Sequence, residues 1–196
     1  MKTSRFIMLT FLSVSLVFLS SCKDDPEEIV SPFIGDYIIS KATLTENLTL
    51  MTYEIGAMTL VAGLDITPMI QTALLGAIDC DAANSLIELR EDFSLYLSCA
   101  SSMDELDGGT WEEESETVFK LNMNSTAIPA SPTGIVLTVT DVTLVDNILS
   151  GETIVPISRH MLVGVLAGMS GGQLTLDMEA TPLAVLITFE IELEKQ

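Results

Sequence analysis

Apolar and polar positions alternate strictly in two parts of the chain. Val118, Lys120 and Asn122 alternate with Phe119, Leu121 and Met123, and Leu186, Thr188 and Glu190 alternate with Ile187, Phe189 and Ile191. A period of two gives a strand one apolar and one polar face, which predicts strands over Val118–Met123 and Leu183–Leu193. Tyr37 to Thr45 is rich in β-branched and aromatic residues, and Ser85–Leu89 and Phe93–Ser98 alternate around an Arg90-Glu91-Asp92 turn. Gly109-Thr110-Trp111 opens a further strand, and Ile135–Val145 is a long β-branched run after the Pro129/Pro132 loop. Short strands joined by short turns predict a barrel or a sandwich.

Two segments follow a different period. Residues 56–78 are apolar, with helical spacing towards their end: Thr67 is the expected N-cap, Pro68 suits the first helical position, and Met69, Ile70, Ala73, Leu74 and Ala77 form one stripe. Gly63, Asp65 and Pro68 argue against a membrane span there. In Ile157–Met169 period and propensity disagree; the segment reads as a helix with a Gly171-Gly172 exit.

The first 21 residues carry a different signal. Lys2 and Arg5 precede the apolar run Phe6–Phe18, too short to cross a bilayer, and small residues follow. Leu19-Ser20-Ser21-Cys22 resembles the lipobox of bacterial lipoproteins. The resemblance implies cleavage before Cys22 and acylation of that residue, which would hold the protein on a membrane through lipid alone. Lys23-Asp24-Asp25 looks like the short signal that sends Bacteroidota-type lipoproteins to the outer face of the outer membrane. The expected organisation is a signal peptide over 1–21, an acylated flexible tether over 22–32 and a single domain over 33–196.

The formal net charge is −20, which argues against nucleic acid and other polyanions as partners. With Cys22 acylated, Cys80 and Cys99 remain in a compartment that permits disulfides. A bridge closing a loop of this size contributes roughly 3 kcal/mol on the chain-entropy estimate.

Together these features resemble the lipocalin-like lipoproteins of Bacteroidota-type bacteria. The matching residues are the lipobox, Phe33-Ile34-Gly35-Asp36-Tyr37 followed by Lys41-Ala42, the Cys80/Cys99 pair flanking a hairpin with Phe93 at its turn, and Gly109-Thr110-Trp111. The resemblance implies a mainly β fold, a lipocalin-like up-and-down antiparallel β-barrel, here with one or two short helical insertions. Where that family usually carries Gly-x-Trp in its first strand, this chain has Gly35-Asp36-Tyr37. The apolar 56–78 segment exceeds a plain barrel hairpin and would either cap the barrel mouth or fill its interior.

No catalytic or metal-ligating constellation emerges. Gly168-Met169-Ser170-Gly171-Gly172 matches the Gly-x-Ser-x-Gly elbow of hydrolases, but the following Gln173–Leu176 reads as a strand and the sole histidine, His160, precedes the serine. The acidic stretch from Asp104 to Glu116 lacks the spacing of a calcium loop. The expectation is therefore a non-enzymatic, cofactor-free lipoprotein on the cell exterior. Its barrel binds a small apolar or amphipathic ligand near Met58, Leu64, Met69 and Trp111; alternatively, the barrel is filled and the protein is a structural or protein-interaction module.

Overall fold

The computed structural model describes residues 31–196, Met103 and Ala130 excepted. Cys22, Lys23, Asp24 and Asp25, with the expected signal and most of the tether, lie outside the described residues. Among the described residues there are ten strands: β1 (Gly35–Leu44), β2 (Leu48–Thr52), β3 (Gly56–Leu60), β4 (Ser85–Leu89), β5 (Ser94–Cys99), β6 (Glu105–Ser115), β7 (Val118–Met123), β8 (Ile135–Val145), β9 (Ile148–Ser158) and β10 (Ala184–Lys195). Two helices accompany them, α1 (Thr67–Leu75) and α2 (Arg159–Ser170).

Eight strands close an antiparallel barrel in the order β1-β10-β9-β8-β7-β6-β5-β4, each of β4 to β10 lying beside its sequence neighbour. This is the up-and-down, lipocalin-like arrangement. β2 and β3 form a separate hairpin. One pole, the turn pole, gathers the start of β1, the end of β10 and the tight turns after β4, β6 and β8. In the last of these Asp146 and Asn147 both have positive φ, 51° and 67°, the conformation that a two-residue hairpin connection requires. The opposite pole, the lid pole, carries the hairpin, α1, α2 and the loop between β7 and β8.

The core sits inside the barrel, because the alternating apolar residues of every barrel strand point inwards. Tyr37, Ile39, Ile87, Leu95, Leu97, Trp111, Phe119, Leu121, Leu137, Leu149, Ile187 and Phe189 are each at most 1 % exposed. Full burial of side chains of this size contributes about 1.5–3 kcal/mol apiece.

Barrel closure is uneven. β1 pairs with β4 only through Gly35–Tyr37 opposite Leu89–Ile87. Beyond that point the chain just before α1 replaces β4: Leu44 N donates to Leu64 O (3.0 Å) and Ile66 N to Ala42 O (2.8 Å). Side chains complete the seam, with Ala42 N donating to Thr67 Oγ1 (2.8 Å) and Gln71 Nε2 to Ile39 O (2.9 Å). The 56–78 segment is thus both the second strand of a hairpin and a helical wedge in the barrel wall.

Several local expectations are corrected. The N-cap of α1 is Ile66, not Thr67; Thr67 is already helical, and Asp65 Oδ1 accepts from its N–H (2.8 Å) and its hydroxyl (2.6 Å). β6 starts at Glu105 rather than at Gly109, since Leu106 and Asp107 already pair with β5. Gly109, at φ 123°, instead marks an irregularity within the strand, where a β-carbon would strike Asn122 O. β9 and the β2–β3 hairpin occupy stretches that the pattern did not single out.

Candidate functional site

The lumen is the first place to look for a ligand, and three buried aromatic residues, Phe33, Trp111 and Phe119, occupy its turn pole, with the exposed turn residue Phe93 packed on Trp111 from outside. Phe33 packs on Phe119 with ring centroids 5.6 Å apart, Phe119 on Trp111 at 5.8 Å, and Trp111 on Phe93 at 5.1 Å. The Tyr37 hydroxyl reaches across to donate to Phe33 O (2.9 Å). Burial pushes the Tyr37 phenol up to about 12, because the charged phenolate loses its hydration there. The other pole is covered by Leu48, Leu50, Leu60, Ile70, Leu74, Ile128, Leu162, Leu166 and Leu176, all buried. Among the described residues, the inward side chains at or below 1 % exposure leave no water-sized space against them.

The residues expected to line a ligand site are dispersed. Trp111 is buried in the aromatic cluster, with Nε1 donating to Arg90 O (3.0 Å). Met69 is buried on α1 at the lid pole, while Met58 on β3 and Leu64 after it are half-buried against the core edge. Trp111 belongs to the turn pole and the other three to the lid pole, so the structure does not bring the four together.

Cys80 and Cys99 form a disulfide, Cα–Cα 5.8 Å, tying the chain after α1 to the end of β5. Beside it lies a surface cavity of about 270 Å³ lined by Ala77, Ile78, Asp79, Cys99, Ser102 and Asp104, with Glu105 and Leu106. A more open groove of about 490 Å³ runs along Ile34–Asp36 and Glu88–Asp92. There Asp36 faces Glu88 directly across the strands, and burial together with the Glu88 charge raises the Asp36 carboxyl above its ordinary value. Arg90 crosses the same surface, its Nη2 2.8 Å from both Glu88 and Glu105 and its guanidinium 3.9 Å above the Tyr96 ring. Those carboxylates hold the guanidinium more firmly protonated than usual.

Ser170 is the last residue of α2. Its hydroxyl donates to Leu166 O (2.7 Å) and accepts from Leu174 N (3.1 Å), and Gly171 caps the helix in the left-handed conformation. A nucleophile elbow places its serine at the start of a helix after a strand; this serine ends one. Among the described residues no group of three or more His, Cys, Asp or Glu is placed to hold a metal ion. Nor is any helix there long and apolar enough to cross a membrane.

The outer wall differs around its circumference. Most outward positions are Thr, Ser, Glu or Lys, but Ile154, Leu183 and Leu186 are 55 %, 74 % and 67 % exposed, and Val136 and Val145 at the two ends of β8 are exposed as well. Sequence reasoning missed this surface because it sought apolar residues as core. Compared with known proteins, the chain matches no family model, no curated protein and no solved structure.

Proposed function

We propose that this protein is a lipid-anchored surface lipoprotein whose filled barrel is a rigid module for contact with another protein. The packed lumen carries this reading: the inward Trp111, Tyr37, Phe119 and Phe189 fill the volume that a carrier would keep open. Acylation at Cys22 and export through Lys23-Asp24-Asp25 would attach the chain to the outer membrane, facing the exterior. Gly35 enters the barrel at the turn pole, so the tether would leave from there and the opposite pole and side wall would be free for contact.

A small apolar or amphipathic ligand is the second reading, supported by Met58 and Leu64, which are half-buried beside the lid. Native mass spectrometry of the protein extracted from its own membrane separates the two. The interaction module is expected to fly at the mass of the acylated chain alone; a stoichiometric co-purifying small molecule would establish a carrier. Cys22→Ala is expected to release the protein from the membrane fraction, and full retention of the variant would refute the lipid anchor.

A further inference from the structure

The outer face of β9 and β10 is ordered in rungs. Pro156 stands opposite Leu186, Ile154 opposite Thr188, Glu152 opposite Glu190, and Ser150 opposite Glu192. Pro156, Leu186 and Ile154 are exposed, and Pro182, Leu183 and Ala184 continue the apolar surface towards the lid pole. The face therefore changes from an apolar end to an acidic end within four residues along each strand.

Two of its features oppose stability. Apolar side chains of this size in a contiguous exposed patch lose the burial that a solvent-facing Thr or Lys would not need. Glu152 and Glu190 are like charges on directly opposed positions, which is unfavourable in a strand pair. Neither has an ion-pair partner among the described residues, whereas neighbouring Glu192 pairs with Lys41 at 3.1 Å. Lys41 on β1 lies within electrostatic reach of Glu190 but makes its direct contact with Glu192, so the pair keeps an excess of negative charge. An apolar anchor site and this carboxylate pair on one ladder are complementary to a surface with an apolar side chain and a cation held apart by the same spacing. From Pro156 to Glu152 that spacing is about 13 Å along an extended strand.

We propose that this β9–β10 face docks a protein segment that places an aliphatic or aromatic side chain on the Pro156/Leu186 rung and a Lys or Arg between Glu152 and Glu190. The proposal rests on the interaction-module reading and deepens it by naming the surface and the chemistry of the partner. A second copy of this chain would set its own glutamates against these and fits poorly.

The test is to pan random peptides displayed on phage against the full-length protein extracted from its membrane, in calcium-free buffer, and to measure the enriched peptides against variants. The enriched sequences are expected to combine an aliphatic or aromatic residue with Lys or Arg. They should lose about tenfold or more in affinity on Leu186→Glu, weaken on Glu152→Gln with Glu190→Gln and at high salt, and keep their affinity for Val145→Glu. Val145 is exposed at the turn pole, so that variant makes the same apolar-to-acid change elsewhere. The glutamine pair removes charge without disturbing packing and keeps the test valid should Leu186→Glu fold poorly. Peptides that lack cations, or that bind both variants as well as the wild type, would overturn the docking face while leaving the module reading intact; so would a failure to enrich, or self-association abolished by Leu186→Glu. A small molecule in the native mass spectrum would instead remove the module reading.

Discussion

Trp111 Nε1 donates a 3.0 Å hydrogen bond to the carbonyl of Arg90, across the turn that joins β4 to β5. The bond anchors the tryptophan with its ring in the aromatic cluster, and it is a second donor to a turn carbonyl that also accepts from Phe93 N (3.0 Å). Trp111 is the single tryptophan of the chain, so its fluorescence reports on the turn pole alone. Emission is expected at short wavelength with little acrylamide quenching in the folded state, shifting to the red in urea. Trp111→Phe is expected to lower stability by about 2 kcal/mol, through lost volume and one lost hydrogen bond, while Arg90 O keeps its bond from Phe93 N; urea denaturation followed by circular dichroism measures it.

Inside the barrel, Thr153 Oγ1 is buried without a hydrogen-bond partner among the described residues. An isosteric valine removes the unmet hydroxyl and keeps the volume. Thr153→Val is expected to stabilise the fold by about 1 kcal/mol, seen as a higher urea midpoint at unchanged slope.

The Tyr37 phenol, pushed up to about 12 from 10.0, stays neutral in the fold where an unfolded chain would already ionise. Above pH 10 the unfolded state therefore binds fewer protons than the native state. The stabilisation is complete below pH 10 and is lost as pH rises through about 12, a change of about 3 kcal/mol. Absorbance at the phenolate band should lose a late-titrating component in Tyr37→Phe, with Tyr53, raised by partial desolvation and by Asp177 and Glu179, still titrating above its ordinary value.

Asp36 is raised by burial and by Glu88, so its ionised form is the strained one. Both states are protonated well below pH 3.8, and the penalty appears as pH rises through the elevated native value. Asp36→Asn is expected to leave the melting temperature unchanged at pH 3 and to raise it at pH 7. Because the side chain is only partly desolvated and is screened by solvent, the gain is a few tenths of a kcal/mol.

Replacing Cys80 and Cys99 together by serine opens the only covalent tie between the α1 segment and the barrel among the described residues. The expected loss is about 3 kcal/mol. Hydrogen exchange should accelerate most across α1 and the short turn of helix at Ala82–Asn84, with β7 and β8 less affected.

How much of this was legible in the sequence depended on where each side chain's polarity agreed with its direction. β7 and β10 were readable almost to the residue, since apolar residues point in and polar ones point out. β9 was not: Gly151 and Thr153 point inwards while Ile154 points outwards, which inverts the pattern that marks a strand. Pro156 obscured it further, and in the fold the β8–β9 ladder stops at Val139 opposite Thr153, short of this residue that has no N–H to give. A local cue did exist, Asp146-Asn147, whose residue types favour a two-residue hairpin turn. The hairpin of β2 and β3 was hidden by the overall apolar character of its surroundings, although Leu48, Leu50 and Thr52 alternate as buried positions. Closure of β1 on β10 joins residues about 150 positions apart and has no local signature. The four expected ligand residues failed to converge because sequence order does not reveal which pole a side chain occupies.

The ladder between β1 and β10 also sets how the molecule would bear load. A pull applied at Ser31, where its hydroxyl meets Glu113 at the turn pole, would act along β1, whereas a partner seated on the proposed β9–β10 face would draw β10 the opposite way. Seven residue pairs, from Tyr37 with Lys195 to Leu44 with Phe189, lie between the two forces. Antiparallel strands pulled along their length share tension over all their rungs at once, so the barrel would resist being unzipped one bond at a time at the junction where traction is greatest.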